Sequence, residues 1–591
     1  MASSSNGQSP VPQNDSNHPN SKTTDTPSTA PQIPSDPRDA IFQTDHLLAD
    51  LKGRSVRGGM VTMGGQGGKL LLTMVSQFIL CRLVSPEDFG LFFMTATLTA
   101  FAEIFKEMGL SMAVVQKKDV KHLEVSNVFW LNAGVGFLMM LIVAGCGPLL
   151  MMFFTDKDGN YRPEIVPITI AVSTTFFAAG VTAMHRAIMN RRMKYSALTL
   201  NELDSLVISI AAAVLVAYGA KHWGWFGGNG YWALVVQRIV AAFSQAIGAW
   251  ILSPWRPSLP RFNVSIRSYV SFGASMTSFQ VVNYFSRNLD KVLIGKVWGD
   301  VALGFYGTAY KLLLMPIWQV NTPITRVALP TLSRLQHEPE KYRQYYRRAI
   351  GLLTFFTMPM VMWLSVSADK AIPVLLGPQW IGSVLIFQVL APAALFGTFN
   401  VATGWVYASL GRPHRQFTWG LVSTSACVIG FLLTVWEWPL SLIGLQGGPV
   451  AVAASFSVTF CCVTMGPFAF VHCFKGTPLK LNDVWKALYR QFIACIVAAA
   501  VVLTVDKILF PNWHGTHLWL GLIGDGLIFG VGYVATFSVL PNGVRYMRVM
   551  LRLKEVLKGP DGGKGKGGAG TPDPSRQDST RPQFETSSFD M

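Results

Sequence analysis

VTMGGQGGKLLLTMVSQFILC, residues 61–81, decides how the rest of the chain is read. It holds a single charge, Lys69, in a length sufficient to cross a bilayer, since about 20 residues rising 1.5 Å each span the roughly 30 Å hydrocarbon core. Comparable apolar windows follow at 89–105, 125–154, 165–184, 203–219 and 231–252. A second set lies at 269–294, 302–328, 349–376, 381–408, 417–436, 448–472, 491–510 and 517–540. The window 125–154 is too long for one upright helix, so it either tilts or ends near Gly147 and Pro148. The pattern predicts an all-α polytopic membrane protein of about fourteen transmembrane helices.

Composition agrees. Of 591 residues 14% are charged and 50% hydrophobic, with mean hydropathy +0.35, whereas an average soluble domain is about 25% charged. A large water-soluble enzyme is excluded. The net charge of +17 would suit a nucleic-acid binder if it were clustered, but it is distributed by loop. Thirty Lys and Arg fall in the stretches on one side of the fourteen windows. Six fall on the other, counting Lys507 at the end of the thirteenth. The basic loops mark the cytoplasmic side, which predicts both termini inside and leaves no role for nucleic acid; the charges there face anionic membrane lipids.

Residues 1–50 are rich in Ser, Pro, Asn and Thr and read as a disordered cytoplasmic tail, and 546–591 as a basic and then disordered one. The first apolar run begins only near Val61, so no cleavable signal peptide is expected. The seven cysteines lie in or beside apolar windows without a CxxC spacing. Neither a metal nor any other cofactor is expected.

Shifting the chain by 214 positions pairs Gly59 with Gly273, Gln66 with Gln280, Arg82 with Lys296 and Gly90 with Gly304. Six windows separate the copies, so the implied symmetry axis runs along the membrane normal. The predicted organisation is two pseudo-symmetric six-helix lobes, 51–255 and 256–475, followed by two helices within 476–545.

Charges inside the membrane are the functional pointers, because each costs on the order of 2.5–3.5 kcal/mol near the bilayer centre. Lys69 lies in the glycine-rich GGQGGK of the first window, and Arg238 in the sixth. Arg287, Asp290 and Lys291 lie in the seventh, Lys311 and Arg326 in the eighth. Arg287 and Asp290, three apart, can pair, leaving Lys69, Lys291 and Lys311 without an obvious local anion. The candidate site is therefore a cavity with surplus positive charge suited to phosphate or pyrophosphate. Lys69, Arg287, Lys291, Lys311 and Arg326 would bind it, with Gln66, Gln280 and Asp290 in support. Tyr284, Tyr306, Tyr310 and Trp318 could stack on sugars, whereas snorkelling to the headgroups is the plainer reading of Lys291 and Arg326. Glu103, Asp369, Asp506 and Asp525 are candidates for proton or cation coupling.

GGQGGKL approaches a phosphate-binding loop but has Met63 where Gly is needed and Leu70 where Ser or Thr is needed. The basic, tyrosine-rich SRLQHEPEKYRQYYRR, 333–348, reads as a helix lying on the membrane surface.

Several stretches resemble the Wzx-type polysaccharide exporters, the polysaccharide transport branch of the multidrug, oligosaccharidyl-lipid and polysaccharide exporter superfamily. They are RLVSPEDFGLFFMTATLTAFAEIFKEMGLSMAVVQKKD (82–119), VFWLNAGVGF (128–137), NLDKVLIGKVWGDVALGFYGTAYKLLLMP (288–316), LPTLSRLQ (329–336) and LLGPQW (375–380). The resemblance covers roughly 50–475. It implies two lobes around a central cationic cavity in a bacterial plasma membrane. It also implies flipping of an undecaprenyl-pyrophosphate-linked oligosaccharide by alternating access, driven by a proton or sodium gradient, for an exopolysaccharide, capsule or O-antigen, with a polysaccharide polymerase as a further partner. The last two helices would form a lipid groove, as in related lipid II flippases.

Two other functions are weighed. A small-molecule exporter of the drug branch should carry acidic rather than basic residues at mid-membrane. A membrane glycosyltransferase or polymerase needs acidic catalytic residues in a sizeable outer loop, and the longest, GAKHWGWFGGNG, has none.

Overall fold

The computed structural model describes residues 37–42, 51–106, 111, 114–115, 120–155, 159–261, 284, 288–435, 448–465, 467–509 and 518–551. Apart from one isolated bridge, Thr155 to Tyr161, the described residues are helical or in connections. The first lobe contains α1 (Leu51–Leu83), α2 (Pro86–Lys106), α3 (His122–Gly145), α4 (Gly147–Phe153), α5 (Ile165–Arg191), α6 (Tyr195–Trp223) and α7 (Tyr231–Leu252). The second opens with α8 (288–297) and continues through α9 (Gly299–Arg334), α10 (Pro339–Val366), α11 (Ala368–Leu375), α12 (Ser383–Ser409) and α13 (Pro413–Val435). It ends with α14 (Pro449–Thr459) and α15 (Pro467–Phe474), joined through a π-helical turn at Phe460–Thr464. Last come α16 (Leu481–Leu509), α17 (Leu518–Val539) and α18 (Gly543–Leu551).

Eleven of the described helices are long and apolar enough to cross a membrane. They match eleven of the fourteen expected windows. α1 and α2 take in two more, and most of the window 269–294 lies outside the described residues. The chain is a multi-pass membrane protein. The long window 125–154 breaks at Cys146, with Pro148 opening α4. The window 349–376 breaks at Ser367, between α10 and α11.

Helix ends differ from the expected loops. Arg186 and Glu202, expected in an inner loop 185–202, belong to α5 and α6, and the connection is only 192–194. The segment 333–348 is not a separate surface helix: it finishes α9 and begins α10. Its Tyr342, Tyr345 and Tyr346 are buried, and the Tyr342 hydroxyl bonds Ser409 Oγ at 2.8 Å. The aromatic rings supplied packing surface that the charges between them masked. Within the expected tail 1–50, Pro37–Phe42 form a 3-10 helix docked on the first lobe. Asp39 Oδ1 accepts from the His122 backbone N–H at 2.6 Å, capping α3, and Phe42 is buried among Val125, Ile188 and Trp255.

The lobes meet where α2 crosses α9. A Cβ on Gly90 would lie 1.9 Å from the Asp300 carbonyl oxygen, and one on Gly304 would lie 2.0 Å from that of Pro86. Gly90 and Gly304 are 214 positions apart, as are Pro86 and Asp300, so each contact is the other's counterpart across the pseudo-symmetry axis. This reciprocity is what a two-fold interface requires. Only glycine allows the backbones so close.

Candidate functional site

At the end of the seam where α2 and α9 begin, the lobes are locked together. Arg162 bridges Glu87 at 3.0 Å and the buried Asp300 at 2.7 Å. Gly377, at φ +112°, turns the chain after α11 so that Trp380 Nε1 donates to the Cys81 carbonyl at 2.7 Å, joined there by the Gln379 amide. Arg82 donates to the Val374 carbonyl. Phe89 and Phe305 pack edge-on against the buried Trp380 ring. We call this the closed end.

Away from it, α1 divides into two faces. Leu71, Val75 and Ile79 are exposed apolar side chains at four-residue spacing, as a lipid-facing stripe should be. About half a turn round lie Gln66, Lys69, Thr73, Ser76 and Gln77. Lys311 Nζ donates to Gln77 Oε1 at 2.6 Å, and Gln237 Nε2 to Ser76 Oγ at 2.8 Å. A cavity of about 110 Å³ opens there, bordered by Thr73, Ser76, Gln77, Phe92, Phe93 and Lys311. Lys311 has exposed surface although it stands well inside α9, and it is one of the residues that border this cavity. Trp318, Thr322 and Arg326 are exposed on the same face of α9. Arg326, 15 residues beyond Lys311, is about 22 Å further along the helix.

Lys69 Nζ lies 3.4 Å from Glu202 Oε2, and Arg186 lies 2.8 Å from the other oxygen of that carboxylate. Arg238 pairs with Glu103 within electrostatic range of Lys311. Lys69 thus has an anion that the sequence reading did not supply. Lys311 has only a neutral amide for a partner. Among these described residues four cations, Lys69, Arg186, Arg238 and Lys311, meet two carboxylates, Glu202 and Glu103, a surplus of two positive charges. Neutral donors with unspent hydrogens and mobile cations suit a multiply charged anion.

The other expected residues lie elsewhere. Asp290 is buried and accepts from the Tyr306 hydroxyl at 2.7 Å. Lys291 bonds Asn288 at 3.3 Å and sits over the Tyr310 ring at 5.0 Å. Tyr306 is fully buried, and with Tyr310 it lies on a face of α9 a quarter turn or more from Lys311, against α8 and α14. These groups pack the second lobe's interior, away from the space beside Lys311. The Tyr284 hydroxyl donates to the Thr97 carbonyl, linking the lobes. Arg287 and Gln280 lie outside the described residues. Gln77, Ser76, Gln237, Arg186 and Glu202 were missed from the sequence, though the polar stripe of α1, spaced 3 to 4 residues, was a signal for the first two.

A groove of about 350 Å³ lies between α10, α12 and α16, walled by Met358, Phe396, Phe399, Trp485, Leu488 and Phe492. Its lining is carbon, in contrast to the polar cleft.

The chain is similar to the lipopolysaccharide biosynthesis protein WzxC of Escherichia coli (strain K12), with 23% identity over 428 residues, 71% of this chain and 80% of that one. It is 26% identical to the teichuronic acid biosynthesis protein TuaB of Bacillus subtilis (strain 168), over 59% of this chain and 71% of that one. Among solved structures, the lipid II flippase MurJ in an inward closed conformation aligns with TM-score 0.62, covering 84% of this chain and all of that one at 14% identity. An inward-facing MATE multidrug transporter aligns with TM-score 0.50 over 71% of this chain and 97% of that one, also at 14%. Both alignments are of fold alone. The family model described as polysaccharide biosynthesis protein matches residues 79–385, just over half of the sequence, and the chain belongs to that family.

Proposed function

We propose that this protein flips an undecaprenyl-pyrophosphate-linked oligosaccharide across a bacterial plasma membrane by alternating access, supplying repeat units for a surface polysaccharide. The observation that carries the reading is the meeting of the polar faces of α1 and α9 at Gln77 and Lys311, in a cleft with two more cations than carboxylates. A pyrophosphate crossing the bilayer sheds water, and fixed cations and amides must replace those hydration bonds. Lys311, Lys69, Arg186 and Arg238 would do so, Arg326 would meet the headgroup further along α9, and Arg287 is a further candidate from the sequence. Sugars occupy the hydrated cleft, and the apolar groove offers the polyprenyl chain a wall of carbon. No covalent bond changes.

The basic loops support a cytoplasmic position for both termini and an outer position for the closed end, which makes this an inward-facing arrangement in the proposed cycle. A proton or sodium gradient would drive the cycle, and a polysaccharide polymerase would receive the product. The cationic surplus disfavours the small-molecule exporter, whose cleft should be acidic. The test is inactivation of the gene in its native host. Accumulation of lipid-linked repeat units on the cytoplasmic leaflet with loss of surface polymer is expected, whereas normal polymer with new drug sensitivity would replace this reading by the exporter.

A further inference from the structure

The most heavily buried ion pairing in the molecule lies outside the cleft, among the described residues of α11, α16 and α17. Lys370 is 1% exposed, and its Nζ is shared between two carboxylates. Asp506 holds it through both oxygens, and Asp525 through Oδ1 at 3.1 Å and Oδ2 at 3.0 Å. One ammonium against two carboxylates leaves one surplus negative charge in apolar surroundings. A structural ion pair would have no use for the third member, because an uncompensated buried charge is destabilising.

Three observations bear on what balances that charge. Asp506 retains 28% exposure while Asp525 has only 6%, so water reaches the cluster through Asp506. Lys370 occupies the space between the carboxylates, and its charge repels a metal ion there; a proton adds to a carboxylate oxygen without displacing it. Finally, Ser367 Oγ lies beside Asp525, and the buried Trp363 Nε1, which stands against Gly526, is an unspent donor. Asp369 on α11 and Lys507 on α16 are the other charged neighbours in sequence, and both are exposed. α10 presents Trp363 but no charged group here, and on α17 the next titratable group inward is Tyr533, bonded to the Phe355 carbonyl.

The triad is joined mechanically to the closed end. Lys370 lies in the first turn of α11. At the other end of this eight-residue helix, Val374 accepts from Arg82, and the turn that follows carries Gln379 and Trp380 to the Cys81 carbonyl. A change in how Lys370 is held therefore acts on the contacts that tie the first lobe to the second.

We infer that Lys370, Asp506 and Asp525 form a proton-binding site whose occupancy releases the closed end. Hydronium from water at that end gives a proton to an Asp506 oxygen. An O–H bond forms, the triad becomes neutral, and Asp506 ceases to draw on Lys370, which stays with Asp525; loss of the proton restores the clamp. The inference deepens the proposed transport cycle, and rests on it, by assigning the coupling ion.

The test needs no lipid-linked sugar, so its failure is separable from failure of the flippase reading. The purified full-length chain, with Cys146→Ser, Cys461→Ser and Cys462→Ser, carries spin labels at Lys221→Cys and Ile381→Cys and is reconstituted in lipid nanodiscs. The distance across the closed end is then measured from alkaline to acid pH. Expected is a shift to longer distance on acidification. Asp506→Asn, which copies the protonated carboxyl, should show the long distance at every pH. Asp525→Asn, which leaves a neutral Lys370–Asp506 pair, should show the short one at every pH, and Asp369→Asn should titrate like the parent. Retention of the parental pH response in both Asp506→Asn and Asp525→Asn, no response in the parent, or a shift that follows sodium at fixed pH would each overturn the inference. Thermal unfolding of each variant identifies a folding failure, and an unfolded Asp506→Asn leaves Asp525→Asn as the deciding variant.

Discussion

The seam between the lobes is built in two unlike ways. At Gly90 and Gly304 backbone lies on backbone with no room for a methyl group. About two turns further along α9, Lys311 reaches Gln77 by one hydrogen bond beside a cavity. A contact of the first kind exists or does not, because close-packed surfaces do not deform gradually. A contact of the second kind can be exchanged for a ligand. The first suits a gate and the second a binding place.

The largest way to break this contrast is Gly90→Leu, which drives a side chain into the Asp300 backbone. Overpacking costs about 1–3 kcal/mol, and surface polymer should disappear with a lowered unfolding temperature; normal polymer would mean that the seam has slack. Next is Lys311→Met, which removes a cation from the cleft without touching the backbone packing at Gly90 and Gly304. A hydrogen bond to a charged group is worth about 1.5–3 kcal/mol. Titration with a short-chain prenyl-pyrophosphate sugar should therefore show about a ten- to hundredfold loss of affinity at unchanged thermal stability, with Lys311→Arg retaining part of it.

Glu202→Gln should sharpen the comparison in the opposite direction by freeing Lys69 and Arg186. Half-exposed ion pairs contribute about 0.2–1 kcal/mol, so the same titration should show a few-fold gain in affinity that added salt erases. The last variant, Trp380→Phe, leaves the cleft alone and acts on stability only. It deletes one of two donors to the Cys81 carbonyl, Gln379 remaining, and should cost about 1 kcal/mol, read as a slight fall in unfolding temperature.

The helical class and thirteen of the fourteen windows were legible because bilayer thickness and positive loops act on the chain locally. The pairing of Gly90 with Gly304 in the repeat even named the residues that meet at the seam. The cleft was legible only in part. Lys311 and Lys69 stood out as charges in apolar windows, but their partners did not. Glu202 and Arg186 were hidden because the helices continue past the membrane boundary, where composition reads as loop. Tyr306 and Asp290 satisfy one another across two helices, a contact between segments that no local pattern encodes. Lys370 was overlooked because it falls where the window 349–376 breaks, close to Asp369, and only the tertiary fold brings Asp506 and Asp525 to it.

The small 3-10 helix at Pro37–Phe42 sets a practical boundary for anyone handling this protein. Its Arg38 bonds Ser258, its Asp39 caps α3, and its Phe42 plugs an apolar pocket. A purification tag fused ahead of residue 1 hangs from a tether that is already fastened, so the bundle does not feel it. A truncation carried past residue 42 pulls the plug, leaving a greasy hole and a frayed helix on the side crowded with lysine and arginine.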